Sequence, residues 1–268
     1  MISLPNQPKT IKKEGNKTTF VIEALSPGYG VTVGNSLRRV LLSSLVGAAI
    51  TQIKIKGASH EFSTISGIFE DVIVIIMNLK QLRFKMFTDE PQIATLKIKG
   101  EKEVRGKDFN FSNQVELINQ DCHIATLTNK SAELEMEIQI EKGMGYSPKE
   151  DREKSSVSMK EKLPMGIIPI DAFFSPIKRV SYEIENMRVG DKTDYDRLFL
   201  EVETDGIITP EEALEQASKI LIDHFSIFAL ENKSEDKIEP KTKKEVKKKI
   251  IKTKKRAVNK KITKKKKL

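Results

Sequence analysis

From Thr18 to Leu25 apolar and polar residues alternate, with β-branched side chains among them, which is the period-two signature of a half-buried strand. Ser26-Pro27-Gly28 turns the chain, and Gly30 and Gly34 bracket what reads as a short extended link. The period then changes. Leu37, Val40, Leu41 and Leu45 recur at i, i+3, i+4 and i+8, one face of a helix over Asn35 to Val46. Asn35 is placed to cap its start and Gly47 to end it. Ala49 to Lys56 alternates again and predicts a strand. Glu70-Asp71 then leads into an apolar segment reaching Leu82. Its Val72 to Ile76 stretch is rich in strand formers, but acidic residues favour a helix N-terminus, so a helix is predicted.

Between Phe84 and Ile140 short alternating runs recur at Ile93 to Ile98, Val115 to Ile118, His123 to Leu127 and Leu134 to Ile140. Glycines and Asx residues separate them, so this is an antiparallel, β-rich region. Lys149 to Lys162 is almost wholly polar and reads as a loop. Strand patterns return at Ile177 to Met187 and Arg197 to Glu203. Thr209-Pro210-Glu211-Glu212 then starts a helix: Thr209 caps, Pro210 takes the first helical position and Glu212 completes a capping box. The chain is α+β.

The last helix, running to about Leu230, carries more apolar residues than one stripe requires. Ala213, Leu214, Ala217, Ile220, Leu221, Phe225, Ile227 and Phe228 cover over half its circumference. A helix at the edge of a small domain buries about one stripe against its own body. Either the intrachain core is enlarged here, or a second helix covers the surplus in a dimer.

Composition narrows the chemistry. No apolar run reaches membrane-spanning length; the longest, Val72 to Met77, is six residues. The N-terminus, with Pro5, Lys9, Lys12 and Lys13, lacks the apolar core of a secretory signal. A lone Cys122 excludes an internal disulfide framework and fits a reducing compartment. His60, His123 and His224 have no metal-ligand spacing, and Thr64 stands where a zinc-protease motif beginning at His60-Glu61 needs its second histidine. Gly28-x-Gly30-x-x-x-Gly34 has the wrong spacing for a dinucleotide loop. No catalytic residue, metal site or cofactor is expected in this chain.

Charge is unevenly placed. The net charge is +9, yet residues 241–268 hold 16 basic residues against Glu245 alone, leaving 31 basic and 37 acidic residues in the rest, a net of −6. A mildly acidic body carries a strongly basic tail.

One stretch is specific enough to name a family. GNSLRRVLLSS at Gly34 to Ser44, HEFSTI at His60 to Ile65, EDV at Glu70 to Val72 and NLK at Asn78 to Lys80 stand in order. GMGYSP follows at Gly143 to Pro148, IDAFFSPIKRVSY at Ile170 to Tyr182, KTDYDRL at Lys192 to Leu198 and TDGIITPEEALEQASKILIDHF at Thr204 to Phe225. Over about 200 residues the sequence resembles the alpha subunit of bacterial-type DNA-dependent RNA polymerase.

That resemblance implies a discontinuous dimerisation domain from residues 1–50 and 170–234 and an inserted β-rich domain over 51–169, while the polar, lysine-rich composition makes residues 235–268 a disordered basic tail. It implies a homodimer on which the beta and beta-prime subunits assemble, with sigma factor joining in the holoenzyme. Two interface helices would contribute Val33, Leu37, Val40, Leu41, Ser44, Leu221, Phe225 and Phe228 to the dimer. Docking of beta or beta-prime would fall on Asn35, Arg38, Arg39, Leu42, His60, Glu61, Ser63, Glu70, Asp71, Asp171, Ser175 and Pro176. Arginine suits such a place, because its planar fork makes bidentate bonds that lysine cannot copy. An isolated Arg38-Arg39 pair would otherwise read as a solvated helix face.

Family members continue into a small helical DNA-binding domain. After Leu230 this sequence turns polar, then lysine-rich, and no counterpart is expected. Lysine without interleaved aromatics attracts phosphate with little base discrimination, which makes non-specific nucleic-acid contact one reading of the tail. Compositional drift in an AT-rich genome is the other. A bacterial cytoplasm is the expected location, ahead of a plastid stroma.

Overall fold

The computed structural model describes residues 4–150 and 166–228. In chain order the elements are β1 (Lys9–Glu14), β2 (Lys17–Leu25), α1 (Tyr29–Ser43), β3 (Val46–Ile55), α2 (Val72–Leu79), β4 (Phe84–Met86), β5 (Gln92–Lys99) and β6 (Lys102–Arg105). They continue with β7 (Val115–Leu117), β8 (His123–Leu127), β9 (Glu133–Met144), β10 (Tyr146–Ser147), β11 (Ile167–Pro169) and β12 (Ala172–Phe173). A long hairpin, β13 (Ile177–Val189) and β14 (Lys192–Thr204), leads to the last helix, α3 (Pro210–Ser226). The class is α+β, as the sequence pattern requires.

The first and last parts of the chain build one sheet in the order β1-β2-β14-β13, antiparallel throughout. Phe20, Ile22, Val180, Leu198, Leu200 and Val202 from its strands pack with Leu37 and Leu41 of α1 and Ala213 and Ala217 of α3. Helix α1 starts six residues before the position read from the sequence, and Asn35 lies inside it rather than capping it. Its N-cap is Gly28, at φ 81°. Gly30 and Gly34 are helical because they form the contact stripe: a Cβ at Gly34 would stand 2.9 Å from the Tyr182 ring and 3.0 Å from Leu198 Cδ1. The Gly30 N–H, unpartnered within the helix, donates to Asp196 Oδ2 at 2.9 Å. A carboxylate from β14 thus sits at the positive end of α1.

The middle of the chain builds a second sheet, β11-β3-β9-β5. Its inner face, with Ile50, Ile53, Ile55, Leu96, Met136, Ile138 and Ile140, packs against α2. Val72, Ile75, Ile76 and Leu79 are the buried residues of α2, a helical i, i+3, i+4, i+7 set, and this burial overrides the strand propensity of the segment. The outer face is a cross-strand ladder, in which Lys56 and Lys97 both reach Glu135, at 3.0 and 3.3 Å, and Lys99 reaches Glu133 at 3.2 Å. Opposite charges in register stabilise pairing and leave this face solvated. Ala48 and Ile50, assigned from the sequence to the end-formed domain, belong to this central cluster.

Helix α3 begins as the sequence reads. The Glu212 N–H donates to Thr209 Oγ1 at 3.2 Å, and the Thr209 N–H donates to Glu212 Oε2 at 3.0 Å. The helix ends at Ser226. Of the remaining segment read as helical to Leu230, Ile227 and Phe228 form a turn instead; residues 229–230, most of the polar loop at 149–162, and the lysine-rich tail lie outside the described residues.

Candidate docking and dimerisation surfaces

Helix α1 divides its residues among three stripes. Gly30, Gly34, Leu37 and Leu41 are buried on the sheet. Val33, Val40 and Ser44 lie half-buried along the flank. Asn35, Arg38, Arg39 and Leu42, at i, i+3, i+4 and i+7, form the exposed stripe opposite the core. The two guanidiniums therefore face solvent from one rigid helix, and neither enters an ion pair among the described residues. Leu37 and Leu41, expected at a dimer interface, are instead core residues of their own chain. They belong to one buried cluster with Leu198, Leu200 and Val180, and within their own chain Leu37 is 5% exposed and Leu41 fully buried.

On α3 the division runs along the axis. Ala213 and Ala217 are buried near its start, and Leu214, Ile220 and Leu221 are half-buried. Phe225, however, is 61% exposed and Ile222 is 65% exposed. Phe228 and Ile227, just beyond the helix, are also exposed. The intrachain core does not absorb the surplus apolar surface. Val31 of α1 is exposed as well; sequence periodicity passed over both Val31 and Ile222.

The loop from His60 to Asp71 carries the other expected docking residues. His60 is exposed, and Ser63 is spent on the turn: its hydroxyl donates to the His60 carbonyl at 2.6 Å. Glu61 pairs with Lys149 Nζ at 3.2 Å. The Lys149 N–H donates to Asp171 Oδ1 at 3.0 Å, and Lys80 Nζ lies 3.4 Å from Asp171 Oδ2. Glu61 and Asp171, far apart in sequence, are thus gathered around one lysine. The Lys149 N–H holds the Asp171 carboxyl below its ordinary value against partial burial, and the charge of Lys80 adds to this. Lys80 and Lys149 were not singled out from the sequence, although Lys80 closes the NLK segment. Asp71 is exposed at the N-cap of α2.

Three expected docking residues turn inward. Ser175 and Pro176 are buried where the chain enters β13; the Ile177 N–H donates to Ser175 Oγ at 3.4 Å, and the Pro176 carbonyl accepts the Asp205 N–H at 3.0 Å. The Glu70 side chain is 9% exposed. Its carboxylate accepts the Thr126 N–H at 2.6 Å and the Thr126 hydroxyl at 2.9 Å, and it lies 2.9 Å from His123 Nε2. Burial pushes that carboxyl up, but these hydrogen bonds outweigh it and hold the group below its ordinary value. Glu70 braces the loop against β8 and leaves no free carboxylate to offer a partner.

Beside Asp171 lies a cleft of about 300 Å³ whose lining includes Leu79, Lys80, Arg83, Tyr146 and Phe173. Tyr146 and Phe173 are register partners and both are exposed, as are Val46 and Met144, paired on β3 and β9. Exposed aromatic and aliphatic groups bordered by paired charges have the makeup of a protein-contact surface. Among the described residues no group of His, Cys, Asp and Glu could hold a metal ion, and no helix is long and apolar enough to cross a membrane.

Residues 53–175 match the family model of the RNA polymerase Rpb3/RpoA insert domain. Over 220 residues the chain is 50% identical to the DNA-directed RNA polymerase subunit alpha of Symbiobacterium thermophilum, covering 82% of this chain and 68% of that protein. It is 46% identical over 222 residues to the subunit of the same name from Oceanobacillus iheyensis, with the same coverage. The chain belongs to the DNA-directed RNA polymerase alpha-subunit family.

Membership makes the chain a transcription protein and part of an enzyme complex. The matched insert domain spans β-rich sequence from within β3 to just past β12. It includes the Glu61–Lys149–Asp171 cluster and the cleft wall formed by Leu79, Lys80 and Arg83. The Arg38-Arg39 stripe and the exposed end of α3 lie outside it.

Proposed function

We propose that this alpha-family chain is a non-catalytic assembly subunit. It dimerises through α1 and α3 and presents Arg38, Arg39, Leu42 and the Glu61–Lys149–Asp171 cluster to the beta and beta-prime subunits, with sigma factor joining the assembled enzyme. It works without a cofactor of its own, in the cytoplasm of a bacterium. The observation that carries the reading is the unburied end of α3, where Ile222 and Phe225 stay in water although the same helix packs well at its start. Isolated large apolar groups on a surface are ordinary; two on one helix end, at 65% and 61% exposure, favour a partner helix. Co-expression of the full chain with affinity-tagged beta tests it. Retention of a two-copy alpha assembly on beta is expected, and a monomer that passes through unbound would refute it.

The basic tail favours a second, compatible role. With 16 basic residues against one acidic between 241 and 268, it contributes non-specific nucleic-acid contact. Affinity of the full chain for duplex DNA is then expected to fall steeply with salt. Equal affinity and salt slope in a chain ending at Asn232 would exclude the tail from that contact.

A further inference from the structure

The two apolar clusters share no residue, and the chain crosses between them twice, from Leu45 to Ala48 and from Ile170 to Ile177. Both crossings meet at Phe174, a buried residue whose N–H donates to the Gly145 carbonyl at 2.8 Å. The joint is tight: a Cβ at Gly47 would stand 1.7 Å from the Phe174 carbonyl oxygen, and one at Gly143 would stand 2.7 Å from the Phe174 ring. A single packed joint fixes position but resists rotation poorly. A second attachment, away from the joint, is needed to fix orientation.

Arg83 and Asp205 supply it. Arg83 belongs to the central body: its N–H donates to Asn119 Oδ1 at 2.8 Å and its Nη1 donates to the carbonyls of Lys80 and Leu82 at 2.9 and 3.0 Å. Asp205 belongs to the other body, in the turn between β14 and α3, where its Oδ1 accepts the Ile207 N–H at 3.0 Å. Arg83 Nε lies 3.3 Å from Asp205 Oδ2, and the aspartate side chain is only 3% exposed. This is not a surface pair that solvent screens away. Burial pushes the Asp205 carboxyl above its ordinary value, and the Ile207 N–H with the charges of Arg83 and Lys178 offsets that only in part. Because its partners offset only part of the cost of burying this carboxylate, the pair contributes little net stability.

We propose that Arg83 and Asp205 form an orientation latch that locks the central body against the α1–α3 body, so that the docking groups of both meet the beta subunit as one rigid surface. They are positioning residues, acting on Arg38, Arg39, Glu61 and Asp171 without belonging to the contact. The proposal rests on the assembly function above.

Spin labels at Lys97→Cys on β5 and Glu215→Cys on α3, in a Cys122→Ser full-length chain diluted with unlabelled protein, report the distance between the bodies. One narrow distribution is expected for this parent. Arg83→Met and Asp205→Asn are expected to broaden it and to reduce beta capture about tenfold, since an unorganised surface must be ordered on binding. Asp205→Asn keeps an acceptor for the Ile207 N–H and removes the buried charge, so it separates lost orientation from lost folding. The dimer mass should stay unchanged in both variants. Distributions as narrow as the parent's, or capture equal to the parent's, would overturn the latch. Failure of the parent itself to bind beta would refute the assembly function instead, and the distance measurement would still decide the latch.

Discussion

Phe225 offers the sharpest test of the dimer, because its own chain leaves it 61% exposed. A buried phenylalanine covers about 150–250 Å². Covering the exposed part with a second copy therefore removes about 120 Å² from water, about 3 kcal/mol per copy at ~25 cal/mol/Å². Both copies contribute, about 6 kcal/mol before costs. If half is offset by side-chain ordering and residual solvent contact, Phe225→Ala raises the dimer dissociation constant about a hundredfold. Phe225→Glu adds the burial of an unpaired carboxylate, several kcal/mol more, and is expected to give monomers. The fold itself should barely notice, since exposed positions shift stability by only about 0.5 kcal/mol. Light scattering after size exclusion, over a dilution series, reads the mass; thermal melting by circular dichroism reads the fold. A Phe225→Glu chain that keeps its dimer mass throughout the series would refute the reasoning, and so would a large drop in the monomer's own melting temperature.

The complementary core variant, Leu41→Ala, is expected to cost about 2–5 kcal/mol of unfolding free energy, because the side chain is completely buried in its own chain. A urea titration showing less than about 1 kcal/mol would mean that the site collapses freely or is not core. Arg39→Ala is expected to weaken capture of beta while leaving the dimer mass and the melting temperature unchanged; undiminished assembly in a pull-down would place that contact elsewhere. Glu70 has a pH signature. Its folded carboxyl is held below its ordinary 4.5, so its contribution is fully present above that value and lost as pH falls through the lowered folded one. Glu70→Gln should therefore flatten the acid limb of a denaturation midpoint measured against pH, and an identical acid limb in both proteins would show that Glu70 carries none of it.

What the sequence determined by itself was whatever depends on neighbours a few positions away. Thr209 and Glu212 cap each other within one turn, so the start of α3 is written locally. Period-two alternation marked β5, β8 and β9 because pleating assigns faces residue by residue. The short ribbons β4 and β6 were missed, although the equally short β7 fell within the alternating run Val115 to Ile118. Tertiary structure decided the rest. Gly30 and Gly34 look like breakers in isolation, and only the approach of Tyr182, Asp196 and Leu198 makes them the packing stripe of α1. Periodicity found Leu37 and Leu41 on one face but could not say whether a sheet of the same chain or a second copy covers it. Glu70 reads as a free acid until folding brings His123 and Thr126 to it across 53 and 56 residues. Arg83 and Asp205 likewise meet only because two separately packed cores are set side by side. A side chain's type is fixed by the code; its partner is fixed by which distant surfaces exclude water together.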